Sequence, residues 1–445
     1  MSSQVTIIGG GLAGVEAALQ AARAGVEVLL LEMKPEHYTP AHSSPHLAEL
    51  VCSNSLRSAQ PTSAVGLLKQ EMAILGSAVI SAALDTQVGA GKALAVDRER
   101  FAARLDAQVS EHPLIQRQCR RVESLPRQGL TIVATGPLTT DDLAEDLVRL
   151  TGTQGLHFYD AIAPIVTAES VDPQKSFWAD RYSDQPGDYL NCPLDKEEFH
   201  TFYQALMTAE QTPLHDFESP RFFEGCLPIE VMAARGEKTL LFGPMKPVGL
   251  IDPATGQRPF AVVQLRKEDQ QGRLLNLVGF QTKLTRPAQD RVLRLIPALA
   301  RAEFVRWGSI HRNTFIDAPR VLGPDLRLKA APNLMIAGQL SGVEGYVESA
   351  AMGLLCGINA PRILAGHEPI LPPPTTALGG HLSHLGNTQT KDFQPSNINF
   401  GLLPPLPNKV AKRERGRHYA RRALEDLLAW MRRHGLEPAQ GPPEL

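Results

Sequence analysis

The chain has 445 residues, 43% of them hydrophobic and 21% charged, with a formal net charge of −2. That length is too great for one ordinary core and sets an expectation of two domains, while the composition excludes disordered and collagen-like classes. No apolar run approaches the roughly 18 residues of a membrane span, and the first residues lead straight into a strand without room for a signal peptide; a cytoplasmic protein with no membrane partner is expected.

Residues 5–32, VTIIGGGLAGVEAALQAARAGVEVLLLE, spell a complete dinucleotide-binding βαβ unit. A β-branched run, Val5 to Ile8, enters the turn Gly9-Gly10-Gly11-Leu12-Ala13-Gly14, which fits G-x-G-x-x-G. Gly9 allows the tight turn, Gly11 lets the backbone approach a pyrophosphate, and Gly14 lets helix pack on strand. The helix N-terminus offers free N–H groups to phosphate. An Ala-rich helix of about three turns then stops at Gly25, and a second apolar strand, Val26 to Leu31, ends on Glu32, placed to accept hydrogen bonds from an adenosine ribose. The unit alone does not separate FAD from NAD.

Downstream, Leu47 to Ser58 is an apolar segment running into a polar turn, and residues 98–109 read as an amphipathic helix. Residues 130–136 form a strand ending in Ala134-Thr135-Gly136, a place where flavoproteins bring backbone against the cofactor. From about 140 to 315 the texture changes. Strand-like runs (Ala161 to Ala168, Leu240 to Phe242, Leu274 to Phe280) alternate with Pro- and Gly-rich turns, and aromatic and acidic residues gather around Phe177, Trp178, Tyr182 and Tyr189. This reads as an inserted α+β substrate domain.

The dinucleotide-binding half resumes at Leu334 to Ala360: a strand ends at Ala337-Gly338-Gln339, crosses a Gly-rich loop containing Gly345, and enters a helix near Tyr346. The N-terminus of that helix would face the redox ring of a flavin, where its dipole favours negative charge. Two Gly-rich strand-to-helix turns so far apart fit one FAD held at both ends better than an NAD domain. The fold expected is therefore α/β, a discontinuous Rossmann-like FAD-binding domain (1–137 and 315–445) with an inserted domain (138–314). Residues 372–407 read as an ordered loop or wrapping segment.

The five cysteines, Cys52, Cys119, Cys192, Cys226 and Cys356, are widely spaced, with no C-x-x-C pair and no Cys/His cluster at zinc spacing, so neither a disulfide framework nor a metal is expected. Cys356 sits in an Ala/Leu-rich helix and reads as core; Cys119 and Cys192 lack a chemical setting. Between Lys409 and Arg433 stand nine Lys/Arg and three Asp/Glu, a local +6 that leaves −8 for the rest. Tyr419 and Trp430 among them fit a helix that packs one face and turns the other to solvent or to phosphates.

In order along the chain, IIGGGLAGVEAA, VCSNSLRS, FEGCLPIEVMAARG, GPMKPVGL, HRNTFI and AGQLSGVEGYVESAAMGLLCGINA resemble the folate- and FAD-dependent tRNA uracil-5-methyltransferases, the TrmFO family. The resemblance covers nearly the whole chain. The narrow part is Cys52 before Ser53-Asn54-Ser55 together with Cys226 within Glu224-Gly225-Cys226-Leu227-Pro228. The related GidA flavoproteins, which build carboxymethylaminomethyl-uridine at the wobble position, carry an additional C-terminal helical domain. A chain of 445 residues favours the shorter, methylating family.

The resemblance implies FAD, 5,10-methylenetetrahydrofolate as methylene donor, NADPH or NADH as reductant, no obligatory protein partner, and 5-methyluridine as product at position 54 in the T-arm of tRNA. C5 of uracil is a poor nucleophile; a thiolate adding to C6 makes C5 an enolate carbon, after which a base must take the C5 proton and a hydride must complete the methyl group. On the family pattern Cys226 is the nucleophile, with Arg221 or Arg235 as candidates to lower its pKa. Cys52 is the C5 proton acceptor near the flavin. His311, Arg312 and Asn313 fall where the family places folate, with the imidazole able to stack on a pterin and Arg and Asn able to bond its amide edge. Tyr346 is a candidate to pack on the flavin face. Three other readings stay open: the wobble-uridine class, an ordinary FAD oxidoreductase on a small metabolite, and a flavoprotein that binds tRNA without catalysis.

Overall fold

A computed structural model describes residues 4–153, 156–181, 187–213, 227–389 and 393–445. Its first sheet gathers strands from both ends of the chain. Gln4–Ile8 lies at its centre, parallel to Glu27–Glu32 on one side and to Leu130–Val133 on the other, with Val5 opposite both Val28 and Leu130. Ile115–Cys119 extends one edge in parallel, and Ala331–Ile336 extends the other. Strands covered on both faces favour near-continuous apolar and β-branched sequence, which Val5-Thr6-Ile7-Ile8 and Leu130-Thr131-Ile132-Val133 supply. The helices Leu12–Arg23 and Tyr346–Leu364 pack against each other over this sheet. They approach closely because Gly353 faces backbone: a Cβ there would lie 2.1 Å from the Ala13 carbonyl oxygen.

A second six-stranded sheet is built entirely from residues 165–306 and closes its own core around Phe199, Phe202 and Phe280. Between the two sheets runs an antiparallel pair, Leu156–Ile162 with Ser309–Phe315, in which His311 lies opposite Asp160. The Thr314 N–H donates to the Pro137 carbonyl and the Ile316 N–H to that of Leu340, so this pair is sewn to both loops at the strand ends of the first sheet.

Three local expectations are corrected. Leu240 to Phe242 is not a strand but the end of a helix, Glu237–Phe242; three apolar residues carry no period, and here Leu240 is buried while Phe242 is exposed. Ser55–Ser58, expected as a turn, pairs as a strand with Ala93–Val96. The segment 372–407 contains a helix, Ala377–Leu385, whose Gly379-Gly380 hid it from a propensity argument. Gly379 is required by packing, since a Cβ would lie 2.0 Å from the Pro373 carbonyl oxygen. Thr376 caps this helix, and buried Glu71 accepts the N–H groups of Ala377 and Leu378 at 2.7 and 2.9 Å. Burial outweighs those two donors and pushes the Glu71 carboxyl up to about 8. Among the described residues no single helix is long and apolar enough to cross a membrane.

Candidate active site

A cleft opens along the carboxyl ends of the first sheet, with about 1150 Å³ of space free of protein atoms when its open, solvent-filled mouth is included. Gly9 through Ala13 line one side, with Glu32 at one end, Ala134 to Gly136 along the wall, and Gly338, Gln339 and Tyr346 at the other. Gly9 sits at φ +100°, and a Cβ there would lie 2.5 Å from the Ala134 carbonyl oxygen. A Cβ at Gly14 would lie 1.9 Å from the Gly9 carbonyl oxygen, so this glycine sets helix-to-strand packing and does not line the cavity. Around the Cβ position of Gly11, by contrast, there is open space for 4 Å. The Glu32 carboxylate is pinned beneath the turn, accepting from the Gly10 N–H at 2.6 Å and the Lys34 N–H at 3.0 Å. A cleft along the strand ends, an open cradle at Gly11 with a helix N-terminus behind it, and the Glu32 carboxylate at the end of its strand suit a dinucleotide such as FAD. Gly345 stands outside the cavity lining, at φ +109° between Glu344 and the helix that starts at Tyr346.

Half-buried Cys52 lies near the Tyr346 end. The Tyr346 phenol oxygen accepts the Cys52 N–H at 2.8 Å and the Ser53 N–H at 3.3 Å, and stands 2.9 Å from Cys52 Sγ. With both lone-pair directions engaged by amides, the phenol proton is left to point at sulfur. The flanking residues are clamped as well. Arg98 donates to the Leu50 and Val51 carbonyls and pairs with Glu268 at 2.8 Å, while Arg266 donates to Ser53 Oγ and Asn54 Oδ1, each at 3.0 Å. Asn54, fully buried, donates to Val96 O and Lys267 O, both at 2.9 Å, the first in the small sheet beside the dinucleotide unit and the second in the other core.

Burial, then the charge of Asp160, pushes the Cys52 thiol up to about 12; the Tyr346 hydroxyl and Arg98 act the other way. At neutral pH the sulfur therefore carries its proton. Glu344, buried and bonded to Gln339 Nε2 at 2.6 Å, is pushed well above the usual carboxylate range by burial and by Asp160 and Glu348. Glu348 is itself fully buried and paired with Arg57.

His311 lies on the strand pair between the sheets, its Nε2 3.0 Å from Ser309 Oγ. Burial, then Arg306 and His42, lowers its pKa, so the imidazole is neutral at pH 7. Asn313 is buried on the same strand, and the side chain of Arg312 lies outside the described residues. Cys226 and Arg221 also lie outside them. The chain after Cys226 is firmly held: Leu227 is buried, the Ile229 N–H donates to the Gln281 carbonyl, and Glu230 accepts from Thr282 Oγ1 at 2.8 Å. The Thr282 N–H in turn donates to the Ile162 carbonyl, opposite Ser309. Cys192 and Cys356 are fully buried, and Cys119 is exposed on the edge strand.

Sequence reasoning passes over Arg98, Asp160, Arg266 and Arg306, which stand in no motif, and over Glu344, which lies in the Gly-rich stretch before Tyr346 with no local sign of its partners; they converge only through pairing of the strands and packing of the two cores. All but one of the side-chain hydrogen bonds of Asn54 and Tyr346 join residues 212 or more positions apart, and the exception, Asn54 to Val96, spans 42, so none leaves a local signal.

A family profile described as "Glucose inhibited division protein A" matches residues 4–368. The chain is 56% identical over 430 residues to the methylenetetrahydrofolate–tRNA-(uracil-5-)-methyltransferase TrmFO of Desulfotalea psychrophila, covering 96% of this chain and 97% of that protein. It is 57% identical over 426 residues to the protein of the same name from Moorella thermoacetica, covering 96% and 98%. Among solved structures, GidA of Aquifex aeolicus superposes with a TM-score of 0.68 at 17% identity, over 96% of this chain and 72% of that one, a likeness of fold.

Proposed function

The chain belongs to the methylenetetrahydrofolate–tRNA-(uracil-5-)-methyltransferase family, TrmFO, within the wider GidA group, and from that premise we propose that it converts uridine 54 in the T-arm of tRNA to 5-methyluridine. The observation that carries this reading is a thiol, Cys52, locked to Tyr346 beside a cavity suited to FAD.

FAD would be held by Gly9 to Ala13 at its pyrophosphate, Glu32 at its ribose, and Ala134 to Gly136, Gly338, Gln339 and Tyr346 toward its ring; when bound it supplies hydride, drawn from NADPH or NADH. Gly14 and Gly345 contribute by shaping the backbone behind the cofactor. His311, Arg312 and Asn313 would receive the pterin, with the neutral His311 ring suited to stacking. The Cys226 thiolate adds to C6 of the uracil, forming a C–S bond and delivering electron density to C5. C5 then bonds the methylene carbon that the folate supplies, which still carries its donor nitrogen. Loss of the C5 proton to Cys52 expels that nitrogen and leaves an exocyclic methylene; hydride addition to this methylene completes the methyl group and expels the Cys226 thiolate from C6. Burial holds Cys52 largely protonated, so only its thiolate form can take the C5 proton, and the Tyr346 hydroxyl and Arg98 favour that form. The target base has to leave its stack to reach these groups.

The test is direct. Purified protein with unmodified tRNA transcript, methylenetetrahydrofolate and NADPH should yield 5-methyluridine on nuclease digestion, and S-adenosylmethionine should not replace the folate. Cys226→Ala should lose both product and the covalent adduct with 5-fluorouridine RNA while retaining FAD. Methylation by Cys226→Ala would remove it as nucleophile, and carboxymethylaminomethyl-uridine as product would move the chain to the wobble class.

A further inference from the structure

The helix Arg415–Arg433 buries Ala420, Ala423, Leu424, Leu427, Trp430 and Met431 in the first core. At 100° per residue, Arg417, Arg421 and Arg432 fall within roughly 60° of arc at the edge of the solvent side and span about 22 Å along the axis. Arg421 and Arg432 are exposed, and the Arg417 side chain is 52% exposed, with Glu414 at 4.0 Å. Ion pairs of that kind contribute little and leave the cation available. Arg422 differs: its guanidinium donates to the Pro404 and Pro405 carbonyls and lies over the Tyr419 ring, so it serves the fold. Of the helix acids, Asp426 is bonded to the Thr375 hydroxyl, and Glu425 stands on the exposed side.

We propose that this arginine stripe is where the phosphate backbone of the tRNA docks, an inference that rests on the tRNA-methylating reading above. Two observations select a nucleic acid over an anionic membrane. The apolar side of the helix is already spent on the protein core, leaving nothing to insert into a bilayer. The helix also begins against the chain that leaves the active site: Gly416 packs on the Thr62 carbonyl, where a Cβ would lie 2.1 Å from the oxygen. Thr62 follows Cys52 by ten residues, so the two are at most about 35 Å apart. A stem lying along the helix is thus anchored within reach of the reacting thiol. A local +6 on a chain whose remainder carries −8 gives a polyanion one favoured face.

The experiment is anisotropy of a fluorescent unmodified tRNA transcript titrated with wild type and with R417E/R421E/R432E between 50 and 200 mM KCl. Each phosphate contact contributes roughly 0.7–0.9 to the slope of log K against log salt, so losing three should flatten it by about 2 and weaken binding at least ~10-fold near 100 mM. R417Q/R421Q/R432Q should fall between, and decides by the same criteria if the charge-reversed protein does not fold. Circular dichroism and bound-flavin absorbance should match wild type. Unchanged affinity and slope overturn the proposal, as does unchanged tRNA binding with loss of co-sedimentation on phosphatidylglycerol vesicles. Wild type that makes no 5-methyluridine strikes the parent reading; wild type that turns over beside a variant with intact tRNA binding strikes the docking surface alone.

Discussion

The Tyr346 phenol oxygen stands 2.9 Å from Cys52 Sγ while accepting the Cys52 N–H at 2.8 Å, so one hydroxyl both positions a loop and addresses its thiol. Tyr346→Phe removes the acceptor for two backbone N–H groups and should cost about 1–3 kcal/mol in denaturant unfolding. It also removes a group that favours the thiolate, so the pH at which Cys52 reacts with iodoacetamide should move upward. An unchanged alkylation profile would leave Tyr346 with a purely structural role.

Two glycines of the same turn should fail in different ways. Gly11→Ala adds a methyl where nothing lies within 4 Å, so the apoprotein should keep its melting temperature and lose FAD affinity. Gly14→Ala places a Cβ 1.9 Å from the Gly9 carbonyl oxygen, so it should lose stability whether or not flavin is present. Thermal melts with and without added FAD separate the two. Equal stability losses in both variants would place the Gly11 effect in packing.

Glu71 links stability to pH. Its carboxyl lies at about 8 in the folded protein against an ordinary value near 4.5, so the native state binds the proton more tightly. The associated stability is complete below about 4.5 and is lost as pH rises through about 8, at a rate of up to ~1.4 kcal/mol per unit. Glu71→Gln, which keeps an acceptor oxygen for one of the Ala377 and Leu378 amides and cannot titrate, should show a flatter decline between pH 5.5 and 7.5. Parallel stability curves for variant and wild type would show that Glu71 does not carry the linkage.

Asn54→Ala severs the links to Val96 and Lys267 and leaves Arg266 short of an acceptor. Because Asn54 is fully buried, the loss should be about 2–4 kcal/mol, within the range for broken buried networks. Freed on one side, Cys52 should be alkylated faster than in wild type at a given pH. Slower alkylation would contradict the clamp described above.

Much of this architecture is legible in the sequence because it is enforced locally. The turn from Gly9 to Gly14, the strand ending at Ala134 and the helix entered at Tyr346 are dictated by backbone conformation and period, which neighbouring residues reveal. The Leu240 to Phe242 run misleads because three apolar residues suit a helix end as well as a strand. The Ala377–Leu385 helix is hidden because Gly379, a poor helix former, is demanded by the Pro373 carbonyl of the turn that leads into it. The surroundings of Cys52 are least legible: Arg98, Asp160 and Arg266 reach it only after two cores assemble.

Asn54 holds the Val96 carbonyl in one hand and that of Lys267 in the other, two positions from the thiol. The residue that anchors the reactive loop is thus also a mechanical rivet between separately built bodies. Any shear that parts those bodies to admit a bulky substrate must strain the rivet first. The sulfur is thereby made a gauge of that motion: its exposure rises with opening, and relief from burial lowers its pKa at the same moment.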